Sequence, residues 1–263
     1  MSLKPQISII MSVYNGEHTV SLAIESILKQ TFKNFEFLII NDGSTDLTKK
    51  ILNKFNDNRI TIINQENLGL TKSLNKAIRL CRSSLIARQD ADEISLKSRL
   101  ETQYNYFLKD NSLALLGSQA FIIDGKIREK TKTIIKENLI YKLKRNNIFI
   151  HGTVMFKKKV FLEIGMYNES YKYSQDYEAW LRLVVDHKKK AFVSNEIVLR
   201  RHILKNSISK NKFILQSING YKIRSNYVNI FENAVITFRH LLISVLPVTI
   251  IFYIKKFIFK KNY

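Results

Sequence analysis

Phe35-Glu36-Phe37-Leu38-Ile39-Ile40 runs with a single polar interruption into Asn41-Asp42-Gly43-Ser44. A short apolar run that stops at a turn signal reads as a strand buried on both faces. Working outward from it, the same pattern recurs. Ile7 to Val13 is a strand ending at Tyr14-Asn15-Gly16, Ile60 to Ile63 is a third, and Leu85 to Ala87 is a fourth, which leads into Asp90-Ala91-Asp92-Glu93. Helical spacings separate them: Val20, Ala23, Ile24, Ile27 and Leu28, then Ile51, Leu52 and Phe55 behind a cap at Asp46, then Leu70 to Leu80. Repeated β-α units of this length imply a doubly wound, mainly parallel sheet covered on both faces. Ligands of such sheets sit beyond the carboxyl ends of the strands. Tyr14-Asn15-Gly16, Asp42 and Asp90 to Asp92 all fall there.

The second half is less regular. Leu96 to Leu108 reads as a helix, Leu113 to Ile123 as one or two strands, and Thr153 to Phe156 as a strand. Tyr177 to Val185 reads as a helix that turns Trp180 and Leu181 to the core, and Val193 to Leu199 as a further strand. Residues 126–145 form a basic, poorly patterned excursion. The organisation expected is an α/β domain over 1–210 and a basic helical extension over 211–263. In that extension, Leu241 to Ile254 is fourteen residues without a charge, broken by Pro247. A spanning helix needs about 20. Arg239 and His240 before the run, and Lys255, Lys256, Lys260 and Lys261 after it, suit a helix lying in the plane of a membrane interface. A core or dimer helix is the alternative.

Composition narrows the class. The chain has 263 residues, 45% of them hydrophobic, with 2 Pro and 8 Gly, so a core can be buried and no low-complexity linker is visible. Cys81 is the single cysteine, which excludes an intrachain disulfide and a cysteine-based metal site. No secretory signal is visible at the N-terminus. The location expected is therefore cytoplasmic, peripheral on the cytoplasmic face of the inner membrane. The net charge of +21 points to a polyanionic partner: nucleic acid, an anionic membrane surface or phosphorylated substrates. From Lys205 to Tyr263 there are ten Lys or Arg and one acid, Glu232, a balance of +9. No helix-turn-helix, zinc-finger or RNP-type motif is present, so nucleic acid is not expected as a partner.

The residues that carry chemistry are acids at strand ends. Asp90 and Asp92, at i and i+2 just past a strand, can both reach a hard cation if the backbone turns there; oxygen ligands suit Mg²⁺ or Mn²⁺. Such a metal would bridge a diphosphate and neutralise a leaving group. A solvated acidic turn gives the same tripeptide. Asp42 could accept a hydrogen bond from a nucleobase NH, with Gly43 allowing close approach, or form an ordinary Asp-Gly turn.

Order and spacing add to these residues. The blocks Ile7-Ser8-Ile9-Ile10-Met11-Ser12-Val13-Tyr14-Asn15, Ser26-Ile27-Leu28-Lys29-Gln30-Thr31-Phe32 and Ile39-Ile40-Asn41-Asp42-Gly43-Ser44-Thr45-Asp46 come first. Asn67-Leu68-Gly69-Leu70 and Ala87-Arg88-Gln89-Asp90-Ala91-Asp92 follow, then His151-Gly152-Thr153-Val154-Met155-Phe156 and Gln175-Asp176-Tyr177-Glu178-Ala179-Trp180-Leu181-Arg182. Arg201-His202 and Asn206-Ser207-Ile208-Ser209 close the series. Over about residues 5–210 the chain resembles the family 2 glycosyltransferases, which have the GT-A fold and invert the anomeric centre. The resemblance implies that Tyr14 and Asp42 hold the base of a nucleotide-sugar donor, Asp90 contacts the nucleoside and Asp92 the metal. It implies Asp176 as the catalytic base on the acceptor hydroxyl. His202 would lie near the diphosphate as a metal ligand. The expected enzyme takes a UDP-sugar with Mn²⁺ or Mg²⁺ and a saccharide or lipid-linked acceptor, in bacterial lipopolysaccharide, capsule or O-antigen synthesis. An anionic inner-membrane surface would be its further partner.

Gln175, Asn41 and Glu93 depart from the acids usual in that family, and Gln175 removes a charge beside Asp176. His151 is open between lining the acceptor site and a structural role; Tyr171 and Tyr173 are open between stacking on an acceptor sugar and solvated loop aromatics. Two rivals remain: a nucleotidyltransferase, which would need a Gly-rich basic phosphate loop where Tyr14-Asn15-Gly16 stands, and a basic membrane- or nucleic-acid-binding protein on a degenerate transferase fold. The latter gains little from the acids at 42, 90, 92 and 176.

Overall fold

The apolar strands do what their pattern requires. A computed structural model describes residues 4–124, 127–131, 138–202 and 213–245, in two units, Met1–Leu204 and Lys205–Tyr263. In the first, β1 (Ile7–Val13), β2 (Phe35–Asp42), β3 (Ile60–Gln65) and β4 (Leu85–Arg88) lie parallel in the order β3-β2-β1-β4. Every residue of β2 is buried. One face carries Ile7, Ile9, Met11, Phe37 and Ile39 into a core with Val20, Ala23, Ile24 and Ile27 of α1 (Val20–Leu28). The other meets α3 (Leu70–Leu80), which buries Leu74, Ala77 and Ile78. Beside α1, on the same face, lies the short α2 (Thr48–Leu52), behind Asp46, whose Oδ1 accepts from Thr48 N at 2.9 Å.

The sheet continues as a mixed one. Past β4 the order is β8 (Met155–Lys157), β6 (Leu113–Asp124), β9 (Lys190–His202) and β5 (Glu93–Ser95). β8 is antiparallel to both neighbours, β6 and β9 are parallel, and β5 is antiparallel to β9. β5 has no counterpart in the sequence reading, because three residues carry no period and its pairing is wholly non-local. β9 outruns its expected span because one flank pairs with β6 and its end also with β5. α4 (Arg99–Lys109) starts three residues later than the apolar spacing suggests, since β5 occupies the chain just before it.

The described part of the basic stretch is ordered into elements, which corrects the expectation of an unpatterned excursion. β7 (Ile127–Lys130) pairs with β6, and α5 (Leu139–Arg145) buries only Leu143, too thin an apolar stripe to register as periodic. α6 (Lys158–Glu163) follows β8, and α7 (Gln175–Leu181) ends in a wider turn over Arg182–Asp186.

The second unit holds two helices, α8 (Phe213–Arg224) and α9 (Ile230–Val245). Arg224 Nε donates to Asn233 Oδ1 at 3.0 Å and Asn233 Nδ2 to the Tyr221 carbonyl at 2.8 Å, pinning the two together. Ile214, Ile230, Phe231 and Phe238 stand exposed on them. Among the described residues no helix is long and apolar enough to cross a membrane. The expected interfacial run lies outside the described residues from 246 onward, as do its flanking lysines and Asn206 to Ser209.

Candidate active site

The loops after β1 and β2 are stitched into one rim. Asn15, at φ 51, takes the left-handed conformation that asparagine tolerates better than most residues. Its N–H donates to Ser44 Oγ at 3.1 Å, and its side-chain oxygen accepts from Thr45 N at 2.9 Å. Tyr14 stands beside it, 52% exposed, with its ring free to face a ligand.

Asp42 lies deeper, 2% exposed at the end of β2. Its Oδ1 accepts from Gln65 Nε2 at 2.8 Å and Leu68 N at 2.9 Å, and its Oδ2 from Gly69 N at 2.9 Å. The carboxylate therefore clamps the Asn67-Leu68-Gly69 loop that opens α3. Gly43 is forced by the same loop: its φ is 74, and a Cβ there would stand 2.6 Å from Asn67 N. Sequence reading offered Asp42 as a base ligand; the structure adds a loop-holding task.

Asp90-Ala91-Asp92-Glu93 is held by a buried polar network that the sequence did not announce. Gln89 Nε2 donates to the carbonyls of Asp90 and Glu93, each at 2.9 Å, bracketing the turn. Arg99, 1% exposed, donates to Gln89 Oε1 and Ser95 Oγ at 2.9 Å and to the Arg88 carbonyl at 2.6 Å. Burial pushes its pKa down to about 10, so it stays charged at neutral pH. Its one sequence signal was a cation at the start of an otherwise amphipathic helix.

The three acids of the turn meet different fates. Asp90 pairs with the fully buried Arg88 guanidinium. Burial raises its proton affinity, but Arg88, His151 and Arg201 outweigh that and hold its carboxyl below the usual carboxylate range. Asp92 titrates higher than usual, through burial first and the neighbouring Asp90 charge second, with Arg201 opposing. Glu93 is 1% exposed, turned inward against Gly152, and pushed up to about 8 by burial and by Asp90. Its Oε1 lies 3.6 Å from Arg201 Nε. Arg201 thus faces all three acids, a role that sequence reading missed.

His202 ends β9 and is exposed. Its place follows from the antiparallel ladder of β5 and β9, where Glu93 stands opposite Arg201. Asp92 and His202 each lie one residue beyond that pair, where the ladder ends. Among the described residues no group of three or more His, Cys, Asp or Glu is arranged to hold a metal.

Asp176 is the second residue of α7, partly exposed, and its Oδ2 accepts from Asn147 Nδ2 at 2.7 Å. Tyr177 Oη lies 2.9 Å from the Leu143 carbonyl, so α5 is tied to the helix that carries this acid.

His151 connects the stations. The Asp176 and Asp90 charges both reach it, as do Arg88 and Arg201, and burial with Arg88 holds its pKa down to about 4. The ring is neutral at pH 7. Its Nε2 is 2.9 Å from Tyr167 Oη, and both rings pack edge-on against the buried Trp180. Tyr167 is 1% exposed and its pKa is raised by burial, so it remains a phenol whose proton has one partner, His151 Nε2. The opposite tautomer would bury that hydroxyl proton unpaired, at a cost of about 1–3 kcal/mol. The proton of the imidazole therefore sits on Nδ1. An open concavity of about 430 Å³, lined by Asn75, Arg79, Tyr167, Glu169 and Arg182 among others, includes none of the acids expected from the sequence.

Comparison with known proteins follows this geometry. A family model described as Glycosyl transferase family 2 matches residues 8–165. The O-antigen biosynthesis glycosyltransferase WbnJ of Escherichia coli is 37% identical over 191 residues, covering 70% of this chain and 74% of that protein. The UDP-Glc:alpha-D-GlcNAc-diphosphoundecaprenol beta-1,3-glucosyltransferase WfgD, also of Escherichia coli, is 31% identical over 209 residues, 79% of this chain and 81% of that one. Among solved structures, the mannosyltransferase PcManGT of Pyrobaculum calidifontis, in complex with GDP-Man and Mn²⁺, superposes with a TM-score of 0.68 at 15% identity, over 87% of this chain and 66% of its own. That likeness is one of fold, and the fold is GT-A.

Proposed function

We propose that this chain, which belongs to glycosyl transferase family 2, moves a sugar from a UDP-sugar to a saccharide or lipid-linked acceptor in a single inverting displacement, in the assembly of a bacterial surface polysaccharide. The observation that carries the proposal is that His151-Gly152 bridges the two acidic stations, Gly152 packing on Glu93 of the turn that carries Asp90 and Asp92, and His151 on Trp180 of the helix that carries Asp176. Asp176, oriented by Asn147, takes the proton of the acceptor hydroxyl. Asp90, kept ionised by Arg88, accepts from the nucleoside. Tyr14 lies along the base, and Asp42 serves the base through the loop it holds.

The residues suit a divalent cation. Asp92 offers carboxylate oxygens and His202 an imidazole, and the charge of Asp90 beside Asp92 is a concentration of negative charge that a cation relieves. One or two protein ligands suffice where phosphate oxygens complete the shell. Mn²⁺ or Mg²⁺ held there would neutralise charge on the departing diphosphate.

The extension is assigned to the membrane surface. Exposed Ile230, Phe231 and Phe238 on α9 would enter the interface while the +9 balance of residues 205–263 meets anionic headgroups on its cytoplasmic face. Sedimentation with vesicles rich in phosphatidylglycerol should exceed that with phosphatidylcholine; equal sedimentation would remove the anchor.

The test of the activity is release of UDP from a panel of UDP-sugars, with and without Mn²⁺. Asp176→Asn should lower transfer by about 10²–10⁴, the share of a positioned general base, and Asp92→Ala should abolish the Mn²⁺ dependence. Unchanged turnover in both sinks the assignment.

A further inference from the structure

His151 lies between the two stations, its ring against Trp180 of the helix that carries Asp176 and the next residue, Gly152, against Glu93 of the acidic turn, and it has no task in the chemistry above. Its Nε2 is occupied by Tyr167 at 2.9 Å. Its Nδ1 makes no hydrogen bond to any described residue, yet the ring is only partly buried, so that nitrogen is not sealed in the core. The ring cannot turn over freely. Trp180 packs against it edge-on at 6.2 Å and Tyr167 at 5.5 Å between centroids. Gly152, next in the chain, is wedged against Glu93 with no room for a Cβ. The tautomer is fixed by the Tyr167 phenol, which leaves a donor, not an acceptor, on the open side.

What lies on that side follows from the two stations. Asp90 marks the nucleoside end of the donor, and Asp176 marks the acceptor hydroxyl. In an in-line displacement the transferred sugar stands between the two. With its ring against Trp180 on the helix of Asp176, and Gly152 beside it against Glu93 in the turn of Asp90, the imidazole has one unengaged N–H between the two stations, where the hydroxyl oxygens of the sugar are the acceptors available. We propose that His151 is a specificity-determining residue that donates its Nδ1–H to one hydroxyl oxygen of the transferred sugar, with Tyr167 as the positioning residue that fixes the tautomer. This rests on the transferase reading given above and deepens it.

Two measurements test it. The first needs no activity: ¹⁵N chemical shifts of the His151 ring in the full chain, at neutral pH, should show Nδ1 protonated and Nε2 bare, and Tyr167→Phe should release that preference. A ring protonated on Nε2 overturns the proposal. The second pairs the protein with monodeoxy forms of its UDP-sugar. In the wild type, removal of one particular hydroxyl should lower kcat/KM by about 5- to 150-fold, as expected when a donor is left unpaired. In His151→Ala/Tyr167→Phe, which leaves no phenol orphaned, that same deoxy donor should lose nothing relative to the parent sugar. His151→Asn should recover part of the discrimination, because its amide can donate from nearly the same place. Equal discrimination of every deoxy donor by wild type and double variant overturns the proposal, since a purely structural histidine would depress all donors alike. The transferase reading fails separately, through an unaffected Asp176→Asn.

Discussion

Asp42→Asn separates a loop clamp from a base ligand. The carboxylate makes three hydrogen bonds, two at Oδ1 and one at Oδ2, in a position 2% exposed. Asparagine keeps one oxygen. Placed where Oδ1 stands, it still accepts from Gln65 and Leu68, without the charge. Its amide then faces the Gly69 N–H, donor against donor. A hydrogen bond to a charged group contributes about 1.5–3 kcal/mol, and a buried unpaired donor costs about 1–3 kcal/mol. The two figures overlap, since losing the bond is what orphans the donor, so the net cost is about 2–4 kcal/mol. For a unit of this size that is a fall in Tm of roughly 5–15 °C. Trp180 is the single tryptophan and is fully buried, so its fluorescence reports the same core in urea or heat. UDP affinity should fall in step with the loosened Leu68-Gly69 loop and recover in part at low temperature. A variant as stable as wild type within about 0.5 kcal/mol, but unable to bind UDP, would refute the clamp and leave Asp42 as a direct ligand of the base.

Two further outcomes follow. Gly152→Ala places a Cβ 1.7 Å from Glu93 Oε2, and Glu93 is too buried to swing away, so overpacking should cost about 1–3 kcal/mol in urea unfolding and displace His151 beside it; wild-type stability would mean that the Glu93 side chain moves freely. His151 has its pKa lowered to about 4, so the native chain refuses a proton that the unfolded chain takes up below about 6.5. The stability tied to this group is present above that pH and lost as pH falls toward 4; His151→Asn should flatten the loss between pH 6.5 and 4 in thermal melts, and parallel curves would count against it.

The fold was legible where neighbours in sequence are neighbours in space. β1 to β4 and their helices alternate in order, and β1, β2 and β4 are apolar because both faces are covered, while β3 at the edge is only half-buried. After β4 the order in space departs from the order in sequence. β5, with three residues, is defined only by its pairing with β9, Glu93 standing opposite Arg201 at 201 − 93 = 108 positions away, and β8 by strands on both sides. No local period can announce such pairings. α5 was missed for a related reason: its stability comes from Leu143 and from Tyr177 at its end, not from an apolar face of its own.

The site was legible as acids and illegible as an arrangement. Asp90-Ala91-Asp92-Glu93 reads as three equivalent carboxylates, and nothing in four letters ranks them. Packing does. Asp90 is matched to a guanidinium that has no solvent, so it is held ionised and engaged on one side. Glu93 is turned away from the cleft into contact with Gly152, where burial keeps its proton on at neutral pH. Asp92 has no ion pair among the described residues, and its charge is opposed by that of Asp90. An unpaired carboxylate crowded by a second negative charge gains most from a cation, so the packing supports Asp92 as the metal ligand and Asp90 as the nucleoside contact. The residues that create this difference, Arg88, Gln89, Arg99 and Gly152, bear no chemistry themselves. They are ordinary letters until the sheet brings Arg99 under the turn and Gly152 over Glu93. The functional division among three acids therefore resides in their supports.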